Sequence, residues 1–516
     1  MKFSRVALAA IALFSASSAR AEWMEATSDH FVIYADESER KLRAFAEKLE
    51  RYNSAMAFVT KTKSTKPTPS NRVTIYVVGS GQAVRKLHGS GSSFVNGFYI
   101  PRAGGSIAIV PEVEDSRREL TFSMVTLLHE YAHHFTRSVT SFPMPRWMGE
   151  GSAEFFSSAK FEKDDSVWLG RPATHRAGEL LYAKDVSVEE LLDPAVYAKN
   201  KRNSRLYDAF YGRSWLLYHY LVFDESRKGQ LDTYSRLLAG GAEPLAAAEQ
   251  AFGNIQQLED DLDSYYKQRR MPAFKLSADR LQPGPINVRP LREGEAEMMP
   301  VRIRSRRGVD EETAKDVLAD ARKVASAYPS DPMVLTALAE AEHDAGNDEL
   351  AVAAADKALA LDPRQTDAYV QKGFALFRIA ENTEGDERKA AFERVRKVFV
   401  ALNRLENDHP LPLIYYYRSF AAEGVNVPDI AKQGLARASQ LAPFDLGLHM
   451  QLAQMYANEF KFDFARAHLR PVAFNPHGGS LAEAAEAMLE EIEVAEPAPN
   501  SAGASIGVAK EAQGGS

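Results

Sequence analysis

His129 and His133 stand four residues apart around a glutamate in His129-Glu130-Tyr131-Ala132-His133, the pattern H-E-x-x-H. On an α-helix, positions i and i+4 share a face, so both imidazoles reach one zinc ion at about 2.0–2.1 Å. Glu130 is turned about 100° from His129, close enough to act on a water at the metal without being a ligand. That arrangement suits hydrolysis by an activated water, with Glu130 as general base. A catalytic zinc needs a third protein ligand and an open fourth position, so another side chain must come from elsewhere. The plain alternative is a solvated helix with two incidental histidines. Against it, Leu120, Leu127, Leu128, Tyr131 and Phe135 form an apolar stripe that buries this helix, and burying two imidazoles and a carboxylate without partners is costly.

The surrounding elements must hold that helix. Ser116 and Glu119 have the spacing of a capping box and place its start there. Upstream, 30–35 and 72–78 are short β-branched and aromatic runs, and 97–100 and 106–110 read as two further strands around Gly104 and Gly105. Between the first two, 38–59 has helical spacing through Leu42, Phe45, Leu49, Tyr52 and Met56. Strands followed mostly by helices indicate an α+β domain over 22–270. Pro143 and Pro145 then break the chain, so a second helix can return beside the first.

That second segment reads Pro145-Arg146-Trp147-Met148-Gly149-Glu150-Gly151-Ser152-Ala153-Glu154. H-E-x-x-H followed by W-x-x-E-G-x-A resembles the gluzincin metallopeptidases, including the bacterial peptidase MA-like domains that often precede tetratricopeptide repeats. The metzincin pattern is absent, because Thr136 and Val139 stand where it needs Gly and His. The resemblance implies a zincin-like fold, one Zn2+ per chain, a peptide or protein substrate, and Glu150 as the third ligand beside His129 and His133. It also implies that Glu154, one turn beyond Glu150, orients a ligand histidine; an exposed helix carboxylate is the other reading. Such enzymes use a tyrosine some sixty residues past the glutamate ligand to stabilise the oxyanion. Tyr211 lies 61 residues beyond Glu150, with Tyr207 and His219 as rivals. The chain departs from aminopeptidase relatives in lacking their G-x-M-E-N amine anchor; 103–109 occupies that region, and the resemblance makes it the edge strand along which a peptide docks.

Residues 271–312 carry five prolines among extended-looking pieces such as 286–288 and 301–303, which reads as a connector. Beyond it the chain is Ala- and Leu-rich. X-Pro breaks at Pro332, Pro363, Pro410, Pro443 and Pro476 are spaced 31, 47, 33 and 33 residues apart, and Ala351, Ala358 and Pro363 recur as Ala431, Ala438 and Pro443. A period near 34 with this pattern is the tetratricopeptide signature, giving an all-α superhelix over 313–494 that would bind a protein partner. The long interval requires an extended helix or insertion around 386–407. The segment 495–516 reads as a disordered tail.

The first 21 residues read as a secretory signal: Lys2 and Arg5, an apolar run from Val6 to Phe14, then Ala19-Arg20-Ala21. The expected location is outside the cytoplasm, periplasmic or secreted, with no membrane span after cleavage. A net charge of -7 leaves no basic excess for nucleic acid. With no cysteine in 516 residues, disulfides, Cys-zinc sites and thiol nucleophiles are excluded. The competing function is an inactive peptidase-fold adaptor acting through its repeats.

Overall fold

The computed structural model describes residues 23–495 except 64, 93–94, 114–118, 141, 203–205 and 476–477. The expected signal over 1–21 and all but the first residue of the expected tail lie outside the described residues. The chain forms two compact units. One comprises Met1–Val139, Ala153–His175 and Arg269–Phe444; the other comprises Thr140–Ser152, Arg176–Gln268 and Asp445–Ser516.

The first unit is built on a six-stranded sheet of β1 (Trp23–Thr27), β2 (Phe31–Asp36), β3 (Val73–Val77), β4 (Phe98–Ile100), β5 (Ile107–Val110) and β9 (Asn287–Pro290), ordered β4-β5-β3-β2-β1-β9. β2, β3 and β5 run parallel, with Ile33 beside Ile75 and Ile75 beside Ala108. A smaller sheet joins β6 (Lys160–Phe161), β7 (Val167–Leu169) and β8 (Phe274–Leu276). The inner strands β2, β3 and β5 are buried on nearly every residue, which is why they read as near-continuous apolar runs. Phe31 meets Tyr131 of α3 (Phe122–Val139), with ring centroids 4.7 Å apart, while α1 (Glu39–Thr60) buries Leu42, Phe45, Leu49, Tyr52 and Met56. On the other face Tyr34, Tyr76, Ile107 and Ile109 pack with Val84 of α2 (Gly81–His88) and with Met299 and Ile303 of α12 (Glu293–Arg307).

Three sequence expectations are corrected in this unit. The strand within 103–109 is not an edge: β5 is hydrogen-bonded to β3 and β4, and β4 is the edge strand on that side. Gly104 and Gly105, at φ 76° and 127°, let the chain reverse there, so β4 folds outward as the antiparallel arm of a hairpin. The H-E-x-x-H helix does not start at a Ser116–Glu119 box. It starts at Phe122, where the Thr121 hydroxyl accepts from the Met124 N–H at 3.3 Å, and Glu119 instead pairs with Arg171; Ser116 lies outside the described residues. Finally, the proline-rich segment has strand content, with 287–288 of the expected extended piece 286–288 in β9 and β8 joining the second sheet, but 301–303, expected extended, lie in α12. Burial of Met299 and Ile303 against the sheet outweighs the β-preference of Val301 and Ile303 and the missing donor of Pro300.

The same unit carries helical hairpins. They run through α13 (Glu311–Ala327), α14 (Pro332–Asp344), α15 (Asp348–Leu361), α16 (Thr366–Glu381), α17 (Glu387–Leu405), α18 (Pro410–Glu423) and α19 (Asp429–Leu441), each packed on the next. Ala351, Ala358, Ala431 and Ala438 are all fully buried, so the recurring small residues are close-packing positions. Pro332 and Pro410 occupy the first turns of their helices, where a missing N–H costs nothing. Asp331 caps α14 by accepting from the Met333 N–H at 2.9 Å. The long interval before Pro410 is taken up by α17, 19 residues in length.

The second unit contains α5 (Ala177–Tyr182), α6 (Val188–Leu192), α7 (Pro194–Arg202), α8 (Phe210–Phe223), α9 (Gln230–Ala239), α10 (Pro244–Phe252) and α11 (Ile255–Tyr266), with α20 (Leu446–Asn458), α21 (Phe462–Ala473) and α22 (Ser480–Ala495). α8 is buried almost all round. Its Arg213 is held by Glu259, by Asp263 at 2.9 Å and by the Val186 carbonyl at 3.0 Å, so the buried cation is compensated. No helix among the described residues is long and apolar enough to cross a membrane.

Candidate metal centre

Two helices build the site: α3, carrying His129, Glu130 and His133, and α4 (Arg146–Ser157), carrying Glu150 and Glu154. α3 is fixed by its neighbours. The Tyr52 hydroxyl donates to the Leu128 carbonyl at 3.1 Å, and Tyr131 donates to Asn53 Oδ1 at 3.0 Å. α4 is anchored by Trp147, fully buried against Tyr234, with centroids 5.8 Å apart. It crosses α8 so closely that a Cβ on Gly151 would collide with the Ser214 carbonyl oxygen. The glycine of E-G-x-A is therefore a packing requirement, holding Glu150 at a fixed depth.

His129, His133 and Glu150 come together: each offers one ligand atom, and these atoms lie within 4.8 Å of one another. All three are buried, at 8%, 5% and 0% exposure. The two Nε2 atoms stand 3.2 Å apart. Two nitrogens bound tetrahedrally to zinc at about 2.05 Å would be about 3.3 Å apart, so the spacing of the imidazoles fits a single zinc ion. The charge pattern fits as well. Glu150 and Glu154 bury two carboxylates one turn apart on α4, and a divalent cation would offset that repulsion. Glu130 is half-buried beside His129.

Glu154 is not an exposed carboxylate. It is fully buried, with Oε1 3.2 Å from His129 Nδ1 and Oε2 2.5 Å from His175 Nε2. By accepting from Nδ1–H it keeps the His129 Nε2 lone pair directed at the metal position. His175 was invisible in the sequence, since it sits 21 residues past Glu154 with no spacing that ties it to the motif. Glu154→Gln is expected to weaken zinc binding by about 10–100-fold, read by competition with a chromogenic chelator. Unchanged affinity would show that the carboxylate does not orient His129.

The three candidates for oxyanion stabilisation separate in space. Tyr207 is 66% exposed. His219 is fully buried, bonded to the Tyr265 hydroxyl at 2.9 Å and set among aromatic rings. Tyr211, at the start of α8, feels the Glu150 carboxylate directly. Burial first, and then Glu150, push its phenol up to about 12, so it stays a proton donor throughout the neutral range.

No protein-family model matches the chain, and no curated protein matches it. Among solved structures, it is similar to TTC0263, a thermophilic TPR protein of Thermus thermophilus. The identity is 20% over 38% of this chain and 100% of that one, at a TM-score of 0.33. MamA of Desulfovibrio magneticus RS-1, residue 41 to the end, matches at 16% identity over 40% of this chain and 98% of its own, at a TM-score of 0.27. Likenesses of this size carry no argument. The tetratricopeptide-like helical repeat rests on the helix pairing and buried alanines of the chain itself.

Proposed function

We propose that the chain is an exported zinc metallopeptidase of the gluzincin type, periplasmic or secreted, with a repeat region that binds a protein partner. The observation that carries this reading is the convergence of one ligand atom each from His129, His133 and Glu150 to within 4.8 Å of one another. Zinc held there would supply Lewis acidity, making water a competent nucleophile near neutral pH and polarising a carbonyl. Glu130 accepts a proton as the water oxygen bonds to the carbonyl carbon, and returns it to the nitrogen as the C–N bond breaks. The products are a carboxylate and an amine. Glu154 holds His129 in one tautomer, and Tyr211 donates a hydrogen bond to the developing oxyanion.

Digestion of a peptide library by the full chain, with and without a chelator, tests the reading. Chelator-sensitive cleavage that zinc restores is expected; stoichiometric zinc with no cleavage would favour the inactive adaptor. Tyr211→Phe is expected to lower kcat by about 10²–10³-fold with little change in KM. An unchanged kcat would remove Tyr211 from the mechanism.

A further inference from the structure

We infer that the site takes substrates with a carboxylate one or two residues beyond the scissile bond, bound by Arg146. This rests on the zinc peptidase reading. Arg146 opens α4 one turn before Glu150, about 6 Å along the axis, so Arg146, Glu150 and Glu154 follow one another along one helix face. Its position beside the site does not depend on spacing alone. The Tyr211 phenol interacts with the Glu150 carboxylate, accepts a hydrogen bond from Arg146 and also interacts with the Arg176 guanidinium, so the four groups are neighbours. The Arg176 guanidinium carbon is 4.7 Å from the centre of the Tyr211 ring.

A cation at the first residue of a helix opposes the helix dipole. Arg146 is held there by aromatic faces, 4.2 Å from the Phe210 centroid and 5.4 Å from that of Tyr197. Its Nε is buried with no hydrogen-bond partner among the described residues. The Asp208 carboxylate in the same cluster is already engaged by Lys201 and by the Tyr197 hydroxyl at 3.2 Å. Arg146 is thus a half-buried guanidinium stacked between aromatic rings, with one donor unused, and a planar carboxylate matches its fork geometry. One peptide residue advances about 3.3–3.6 Å, so one or two residues span the turn that separates Arg146 from Glu150. The carboxylate is either the chain terminus or an acidic side chain at that position.

The test measures binding to the zinc-loaded full chain of a succinyl hydroxamate peptide ending in a free carboxylate, and of the same compound ending in a carboxamide. The free acid is expected to bind about 10–100-fold tighter, in line with a charge-assisted pair. Arg146→Gln should collapse the ratio to within about threefold, and Arg146→Lys should restore part of it. A structural role for Arg146 would weaken both compounds and leave the ratio intact. A third compound, carboxamide-terminated with Asp one residue inward, separates the two carboxylate sources: tight binding names the side chain, and weak binding names the terminus. Equal affinity of the first two compounds for the wild type, or a ratio that survives Arg146→Gln, overturns the inference. No zinc-dependent binding by either would instead overturn the zinc site.

Discussion

Glu130→Gln is expected to retain about one zinc per chain while losing peptide hydrolysis by about 10²–10⁴-fold. The two halves of that result have separate physical causes. Glu130 lies about 100° around α3 from His129 and does not belong to the converging set of ligand atoms, so an isosteric amide leaves the cage intact. The amide cannot accept the water proton, and the proton-transfer step loses its base. Measurement of metal content by mass spectrometry beside a discontinuous peptide assay reads both halves on one preparation. A Glu130→Gln enzyme that still cleaves within about threefold of wild type would show that the proton goes elsewhere. Loss of zinc would show that Glu130 is a ligand.

The second large effect is on the metal itself. Glu150→Ala is expected to drop zinc to well below one per chain after dialysis, and to abolish the thermal stabilisation by zinc expected of the wild type. That stabilisation is about 4 kcal/mol when free zinc stands at a thousand times its Kd. The reason is geometric. His129 and His133 come from one helix and leave the cage open, while Glu150 brings the only ligand among the described residues from a second element. Two imidazoles alone hold zinc weakly, and their separation of 3.2 Å is then a source of repulsion whenever both are protonated. Full occupancy and an unchanged thermal shift in the alanine variant would place the third ligand elsewhere and undo the proposed function.

Much of the scaffold was legible because its signals are local. α1 announces itself through its helical periodicity, and β2 and β3 through short β-branched and aromatic runs. The paired alanines of the hairpins are legible for a similar reason: close helix approach demands small residues wherever in the chain it occurs. The edge of the sheet was not legible. Whether β4 or β5 lies outermost depends on how a two-glycine turn folds back, and both strands have the same apolar character. α12 misled for a different reason. Val301 and Ile303 favour extended structure in isolation, and only the tertiary surfaces they bury against, the sheet for Ile303 and the following helices for Val301, make a helix the better burial.

By itself the sequence determined what lies within a few residues of backbone geometry: His129 and His133 on one face of a helix, Glu130 turned aside, and Glu150 and Glu154 one turn apart. Those relations follow from about 3.6 residues per turn and need no other element. Only the tertiary structure decided which of these groups meet. Gly151 lets α4 lie against Ser214, and Glu154 reaches His129 and His175 at once. Tyr211, rather than Tyr207 or His219, faces Glu150, and Arg146 is left with an unused donor behind it. The physical reason is that a ligand cage and its supporting shell join side chains far apart in the chain. Their distances are set by the packing of whole helices, which no local pattern of residues encodes.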